Sequence, residues 1–153
     1  MNFVIFDDNK SENFYPLTLN RAIFDLRCGV LKLRQRIENL LDVEESYLIV
    51  ADYLHNFYEE KHPDSKINML PSDEITLING RVLTQNQNYS LKEKISELRI
   101  GERLESNNQI VAAKLKAEEM TICSEMIEKF IIEKTTLKTD NDILSRKLIR
   151  IGL

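Results

Sequence analysis

Three short apolar runs, separated by segments with helical periodicity, constrain the fold of this chain more than any other feature. They are residues 2–7 (NFVIFD), 47–50 (YLIV) and 75–78 (ITLI). Runs of this length that are apolar throughout are typical of parallel strands covered on both faces. Helical patterns at about 30–42 and 52–61 separate them, and this order favours βαβ units. The sequence therefore predicts an α/β domain with a mainly parallel sheet and flanking helices.

The helix at about 30–42 divides clearly into apolar and charged positions. Its apolar face is predicted to hold Val30, Leu33, Ile37, Leu40 and Leu41, and its solvent face Lys32, Arg34, Arg36 and Glu38. Residues 90–93 match a capping box that opens a third helix, running to about 98. Farther on, Asn107 and Asn108 tolerate positive φ and join a predicted hairpin of residues 102–106 and 109–115.

A long helical stretch is predicted after this hairpin. A helix at about 117–134 carries an apolar stripe of Met120, Cys123, Met126, Ile127, Phe130 and Ile131. Residues 140–142 (DND) fit an N-cap or a turn better than a metal site. The apolar end at 148–153 is expected to be a strand whose partner is absent or supplied by a second chain.

Length and composition narrow the class of protein. At 153 residues the chain fits one domain, 1–153, which can bury most of its apolar surface. The formal charge of −4 is spread along the chain, which disfavours a nucleic-acid binder. No apolar run approaches the ~20 residues of a membrane helix, and the first strand is too short for a signal peptide. With only Cys28 and Cys123, the sequence suits a reducing, cytoplasmic compartment.

Polar residues follow the first and third apolar runs, at the sheet edge where α/β proteins bind ligands. Asp7 and Asp8 end the first run, and the loop to Gly29 contains cationic and small polar side chains: Lys10, Thr18, Asn20, Arg21 and Arg27. A helix N-terminus with nearby arginines is a plausible anion site. Asn79, Gly80 and Arg81 follow the third run, where glycine allows a ligand to approach the backbone closely.

Each of these groups also has a structural interpretation. Arg21 and Arg27 either contact phosphate or form an ion pair with Asp25 or Asp7. The two aspartates, Asp7 and Asp8, either hold a metal ion or cap the turn that follows the strand. The Asn-Gly-Arg segment at 79–81 either contacts a ligand or is simply a tight turn. The aromatic pair at 14–15 either stacks on a base or packs the loop against the sheet.

Several segments, in order, resemble motifs of sugar nucleotidyltransferases. Residues 15–31 (YPLTLNRAIFDLRCGVL) are similar to a pattern P-L-T-x-x-R-P-x-x-x-L-R-x-G that follows a first strand. Residues 78–83 (INGRVL) resemble a strand end I-N-G-R-x-L, and 100–104 with 110–113 resemble the next hairpin. The resemblance covers residues 2–115. It points to the transferase domain of UDP-N-acetylglucosamine pyrophosphorylases and glucose-1-phosphate thymidylyltransferases.

The resemblance implies a Rossmann-like domain of the nucleotidyltransferase type. It implies transfer of a nucleotidyl group from UTP or dTTP to a hexose-1-phosphate, with release of pyrophosphate. Mg²⁺ would offset phosphate charge, held by Asp7 or Asp8, and Arg21 and Arg27 would act on the phosphates. The remaining substrate-binding positions would be Lys10, Thr18, Asn79, Gly80 and Arg81.

The sequence also departs from the family pattern. Residues 8–13 (DNKSEN) contain no glycine, Ala22 replaces a proline, and Arg81 stands where a metal-binding aspartate is usual. In the related enzymes a longer transferase domain is followed by a β-helix, so the chain is expected to be an N-terminal portion or a trimmed relative. The alternative hypothesis is a non-catalytic nucleotide-sugar-binding or oligomerisation module of the same fold. The expected protein partner is a second copy of the chain, in a homo-oligomer, or a C-terminal β-helix domain.

Overall fold

The computed structural model of the chain describes residues 1–8, 10–84, 89–119, 124–138 and 149–151. The strands are β1 Asn2–Phe6, β2 Arg27–Cys28, β3 Leu31–Lys32, β4 Tyr47–Ile49, β5 Glu74–Asn79, β6 Val82–Thr84, β7 Glu102–Ser106, β8 Gln109–Lys116, β9 Thr136–Leu137 and β10 Ile149–Ile151. The α-helices are α1 Leu33–Leu41, α2 His55–Lys61, α3 Tyr89–Ser96 and α4 Ile127–Lys134. Short 3-10 turns lie at Ser11–Phe14, Ile23–Asp25, Asp52–Leu54, Ala117–Glu119 and Ser124–Met126.

Six strands form one sheet in the order β4-β1-β5-β8-β7-β9. β1 pairs in parallel with β4 on one side and with β5 on the other, so that Val4 lies between Tyr47 and Leu77. β8 is antiparallel to both of its neighbours, and β9 is parallel to β7. Three of the five pairings are therefore parallel, which confirms the predicted α/β class with its mainly parallel sheet.

The central strands are apolar at successive positions because both faces of the sheet are covered. Ile5 and Ile78 pack on one face with Ile37 and Leu41 of α1. Val4, Phe6 and Leu77 pack on the other face with Ile127 and Ile131 of α4. Fully burying a side chain of this size is worth about 1.5–3 kcal/mol, so these strands hold the helices in place on both sides.

The first helix begins later than its sequence pattern predicts. Gly29 adopts φ +76, which turns the chain between β2 and β3, and α1 starts only at Leu33. The prediction that Val30 faces the core is therefore wrong, since this side chain is 83% exposed in that turn. Glu38 was predicted to face solvent but is buried, where its carboxylate accepts a 2.8 Å hydrogen bond from the Ser46 hydroxyl.

The later elements agree with the predictions in part. Asn107 and Asn108, with φ of 52 and 60, form the predicted turn between β7 and β8. Ile127 and Ile131 are buried as predicted, whereas Met126 is exposed because it lies in the 3-10 turn before α4. The predictions for Met120, Cys123 and residues 140–142 fall outside the described residues.

The apolar end of the chain finds its partner within the same molecule. β10 pairs with β6 in antiparallel register, with Ile151 opposite Val82, so the expectation of an absent or second-chain partner is wrong. The helices of the described segments are all too short or too polar to cross a bilayer.

Candidate functional site

The sheet topology defines one crevice at the carboxyl ends of the parallel strands. From β1 the chain moves to β4 on one side of it, whereas from β5 it moves towards β8 on the other. Ligands of open α/β sheets bind where neighbouring connections diverge in this way. Asp7 and Asp8 leave β1 at this point, and Gly80 and Arg81 leave β5 beside them.

Asp8 and Arg81 form a buried ion pair across the crevice. The Nε atom of Arg81 lies 2.7 Å from Oδ2 of Asp8, and their side chains are 1% and 0% exposed. The same carboxylate oxygen accepts a 3.1 Å hydrogen bond from the Asn79 amide, and Oδ1 accepts one from the Lys10 backbone N–H. A pair so fully removed from water is tolerated only when its remaining hydrogen-bonding capacity is satisfied, as it is here for the carboxylate.

Asn79 uses its side-chain amide to build this turn. Nδ2 also donates to the carbonyl of Ile110 at 3.0 Å, and Oδ1 accepts from the backbone N–H of Arg81 at 3.0 Å. The side chain is fully buried, so its hydrogen bonds connect β5 with β8 and with the following turn. This geometry supports the interpretation of residues 79–81 as a tight turn.

Glu128 of α4 brings a second carboxyl group towards Asp8. Burial raises the pKa of Glu128, and the charge and hydrogen bond of Asp8 raise it further, while Arg81 and Lys10 oppose the shift. A carboxyl group in contact with a carboxylate holds its proton more strongly, because two like charges at this distance repel each other. Asp8, Asn79 and Arg81 form a buried group that we call the strand-tip cluster. Glu128 of α4 adds a carboxyl group beside it.

Gly80 is needed for packing rather than for access to the backbone. A Cβ atom at this position would lie 2.8 Å from Cβ of Phe24 and 3.0 Å from the carbonyl oxygen of Phe6. Phe24 is fully buried, and the Gly80 N–H donates to the Phe6 carbonyl at 2.8 Å. The segment Ile23–Asp25 thus lies against the ends of β1 and β5 and occupies the base of the crevice.

Asp7 is the uncompensated carboxyl of the site. It is 3% exposed, and its Oδ1 accepts a 3.3 Å hydrogen bond from the Ile23 backbone N–H. Burial, aided by the nearby Asp8, raises the pKa of Asp7 to about 8 against the weaker opposing effects of Ile23 and Arg81. Within the described ranges no hydrogen bond reaches its second oxygen. A cation bound at that oxygen would lower the pKa of Asp7 and displace the proton that the group otherwise keeps at neutral pH.

Asp25 is also buried, but neighbouring cations and a hydrogen-bond donor balance its negative charge. Its carboxylate accepts a hydrogen bond from the Tyr58 hydroxyl at 2.7 Å and contacts Lys32 Nζ at 3.3 Å and Arg34 Nε at 3.4 Å. Burial alone would raise the pKa of Asp25, yet the Tyr58 hydrogen bond and the two cations lower it. The Tyr58 oxygen also accepts the Ala22 N–H at 2.8 Å. These four side chains, the loop anchor, fix residues 22–25 above the strand ends.

The other predicted site residues lie on the loop between β1 and β2, except Arg27, which is the first residue of β2. Arg21 and Arg27 are exposed, and their guanidinium groups donate to the Asn20 side chain and the Val30 carbonyl. Neither forms an ion pair with a carboxylate of the described segments, so the alternative of pairing with Asp25 or Asp7 is wrong. Thr18 is buried, and its hydroxyl donates to the Ser11 carbonyl at 2.5 Å. Lys10 is exposed.

The side chains do not form a complete resident metal site. In the described part of the chain no three His, Cys, Asp or Glu side chains are grouped to hold an ion. Both oxygens of Asp8 already accept hydrogen bonds or contact Arg81, which leaves one oxygen of Asp7. One carboxylate suffices for Mg²⁺ only when phosphates and water supply its other ligands.

Three participants were not predicted from the sequence to be parts of the site, although one of them carried a signal. Asp25 lies between apolar residues, and a charged residue in such a run is a signal of a buried, paired carboxylate. Tyr58 and Glu128 lie on helices whose patterns show only which face is apolar. Their contacts with Asp25 and Asp8 depend on how α2 and α4 pack on the sheet.

Comparison with known proteins agrees with this architecture. The family model described as sugar nucleotidyl transferase matches residues 3–147, and the chain therefore belongs to that family. The resemblance predicted from the motifs is confirmed. No curated protein matches the sequence significantly.

Two solved structures are similar to parts of this chain. The inositol-1-phosphate CTP transferase from T. maritima is 12% identical and has a TM-score of 0.49, with 89% of this chain and 77% of that chain covered. A protein assigned as a glucose-1-phosphate thymidylyltransferase from Bacillus anthracis, in complex with sucrose, is 11% identical with a TM-score of 0.43. There 81% of this chain and 67% of that chain are covered. At these values neither structure informs the choice of substrate.

Proposed function

We propose that the chain transfers a nucleotidyl group from UTP or dTTP to a hexose-1-phosphate at the crevice between β1 and β5. The observation that carries this proposal is the family match over residues 3–147. The diverging strand ends and the uncompensated carboxyl of Asp7 support the location.

The proposed reaction needs positioning and charge stabilisation more than acid–base chemistry. A phosphate oxygen of the sugar phosphate attacks the α-phosphorus, a new P–O bond forms, and the bond to the bridging oxygen of pyrophosphate breaks. The attacking oxygen is already anionic and the leaving group departs as pyrophosphate, so no proton has to move. Catalysis of such a step depends on aligning the sugar phosphate with the nucleotide and on placing cations near the equatorial oxygens of the α-phosphorus.

The residues of the crevice and its loop can be assigned roles on this basis. Arg21 on the loop and Arg27 at the start of β2 are exposed and not paired with acids of the described segments, and they are proposed to contact the phosphates. Mg²⁺ is proposed to enter as the metal–nucleotide complex, with the available oxygen of Asp7 as its one protein carboxylate. The strand-tip cluster holds the turns that carry these groups.

Pyrophosphate release from UTP, dTTP and CTP with glucose-1-phosphate tests the proposal directly. Arg21→Ala should lower the rate on the order of 100-fold, because one cation facing the developing charge is lost. Arg99→Ala is the matched control, since Arg99 is an exposed arginine beside the start of β7, at the opposite edge of the sheet. Equal turnover by wild type and Arg21→Ala would remove Arg21 from the mechanism.

A second candidate function is a non-catalytic nucleotide-sugar-binding module. It is favoured by the Asp8–Arg81 ion pair, because a buried arginine takes the position where the related enzymes carry a metal-binding carboxylate. Such a module would bind nucleotide or UDP-sugar and release no pyrophosphate.

Thermal denaturation with UTP, dTTP and UDP-sugars, with and without Mg²⁺, separates the two functions when it is combined with the pyrophosphate assay. A ligand that binds only the folded state raises the melting temperature. A shift without turnover favours the module, and a shift with turnover favours the transferase. The absence of any shift with every nucleotide would contradict both.

A further inference from the structure

Four apolar side chains on two neighbouring loops are more than half exposed. They are Tyr15, Leu17, Leu19 and Tyr53, at 52%, 62%, 58% and 61%, and we call them the aromatic patch. Exposed apolar groups scattered singly need no explanation, but a cluster with two aromatic rings marks a contact surface.

Both tyrosines follow the carboxyl end of a parallel strand. Tyr15 lies in the loop after β1, and Tyr53 lies in the 3-10 turn Asp52–Leu54 that follows β4. Because β1 and β4 are hydrogen-bonded neighbours in parallel, these two loops leave the sheet side by side. The aromatic patch therefore lies at the same edge of the sheet as Asp7.

The Tyr53 ring is held in place by the loop that carries Tyr15. Its hydroxyl donates to the carbonyl of Thr18 at 3.3 Å, and the Thr18 hydroxyl in turn donates to the carbonyl of Ser11. Desolvation raises the pKa of Tyr53, and the charges of Tyr15 and Asp7 add to the shift. The hydrogen bond to Thr18 therefore places Tyr53 beside the loop that carries Tyr15.

We propose that Tyr15 and Tyr53 form a stacking platform for the nucleobase of the bound nucleotide. This inference rests on the proposed function and names the part of the substrate that the patch receives. Tyrosine suits the role because its ring offers a large, rigid apolar face at low cost in conformational entropy. A base can stack on it whatever its hydrogen-bonding pattern.

The chemistry of the patch favours a base over a hexose. A hexose presents hydroxyls that lose their water on binding and need hydrogen-bonding partners in return. The exposed chain neighbours of Tyr15 at alternate positions are Leu17 and Leu19, which offer none. The faces of a nucleobase are apolar, and its polar edges can remain in water.

Isothermal titration calorimetry with two probes tests the platform. The probes are UTP and inorganic tripolyphosphate, each with Mg²⁺, because tripolyphosphate has the phosphate chain of the nucleotide without its nucleoside. Tyr15→Ala and Tyr53→Ala should each weaken UTP binding by about 5- to 100-fold and leave tripolyphosphate binding unchanged. Tyr53→Phe keeps the ring and loses only its hydrogen bond to Thr18, so it should retain most of the UTP affinity.

Ile100→Ala is the matched control for truncation of an exposed apolar side chain. Ile100 is 41% exposed beside the start of β7, at the opposite edge of the sheet, so its loss should leave both affinities unchanged. Melting temperatures of all variants show whether each one is folded.

The outcomes separate the platform from the proposed function. Unchanged UTP affinity in both alanine variants, with UTP still binding wild type, would overturn the platform alone. If UTP affinity is unchanged but the alanine variants have a different sedimentation coefficient from wild type, the patch contacts a second copy of the chain instead of a base. Equal weakening of UTP and tripolyphosphate would mean that the tyrosines only hold the loop. Failure of wild type to bind UTP or dTTP would overturn the proposed function together with the platform.

Discussion

Asp7 and Asp25 are both buried carboxyls, yet their neighbours shift their pKa values in opposite directions. Burial raises the pKa of Asp7 to about 8. Within the described segments its carboxyl accepts one hydrogen bond, from the Ile23 backbone N–H, and this bond does not offset the cost of burying the charge. Burial would also raise the pKa of Asp25, but Tyr58, Arg34 and Lys32 more than offset it. The loop anchor around Asp25 is thus electrostatically complete without a ligand, whereas the strand ends retain one group that a cation would stabilise.

The largest effect is expected from breaking the ion pair of the strand-tip cluster. Arg81→Leu should lower the free energy of unfolding by about 3–5 kcal/mol, because Asp8 would remain as a buried charge without its cation. Guanidinium unfolding at pH 7 measures the change. Arg34→Leu in the loop anchor should cost much less, since Lys32 and Tyr58 still contact Asp25.

A double variant checks the cause of that loss. Asp8→Asn combined with Arg81→Leu should recover a large part of the stability, because the buried charge is then absent. A double variant no more stable than Arg81→Leu alone would show that Arg81 contributes through its packing.

Asp7→Asn should stabilise the protein by on the order of 3 kcal/mol at pH 7, the opposite of the usual effect of removing a buried side chain. The unfolded state releases the Asp7 proton near its ordinary pKa of 3.8, whereas the folded state keeps it up to about pH 8. Stability in wild type is therefore lost as the pH rises through that window, and asparagine removes the loss while keeping an acceptor for Ile23. Urea unfolding from pH 4 to 8 measures this.

The same variant distinguishes a stability effect from a functional one. Below about pH 4 wild type and Asp7→Asn should be equally stable, because the carboxyl is protonated in both states. The variant should bind Mg²⁺–UTP more weakly in spite of its greater stability. A variant less stable than wild type at pH 7 would contradict the raised pKa of Asp7.

Tyr58→Phe tests the loop anchor with a single atom. Its hydroxyl connects the Ala22 N–H to the Asp25 carboxylate, so its loss should cost about 1–3 kcal/mol in the free energy of unfolding. Tyr47→Phe is the control, because that hydroxyl accepts only a surface hydrogen bond from Lys66, and its loss should cost under about 0.5 kcal/mol. Equal costs for the two variants would mean that the anchor contributes little.

The smallest effect on stability is expected at Arg27. Arg27→Ala removes an exposed guanidinium that donates to the Val30 carbonyl, and chemical denaturation should show a loss below about 0.5 kcal/mol. If Arg27 contacts phosphate, UTP affinity should nevertheless fall. Unchanged affinity would leave it as a residue that supports the turn between β2 and β3.

Local patterns predicted the fold where one interaction dominates. The apolar runs form β1, β4 and β5. Both faces of these strands are covered by other elements, so successive side chains along them are apolar. The Asn107–Asn108 turn followed from backbone preference alone. Val30 and Glu38 were misplaced because helical periodicity does not register the hairpin before α1 or a partner such as Ser46.

The site was predictable only to the level of which loops meet. Strand order brings the segments after β1 and β5 together, and this much follows from topology. That Arg81 pairs with Asp8, and that Gly80 makes room for Phe24, depends on side-chain packing between segments far apart in sequence. No local signal distinguishes Arg81, buried in an ion pair, from Arg21, exposed on a loop.

The Asp8–Arg81 pair joins residues that are 73 positions apart. During synthesis, the first strand therefore emerges long before the cation that neutralises its final carboxylate. Until β5 and its turn have been made, burying β1 would carry the full desolvation cost of Asp8, so a fragment ending before Arg81 should not fold stably. The pair therefore couples the stable assembly of the parallel strands to the synthesis of β5 and the turn that follows it.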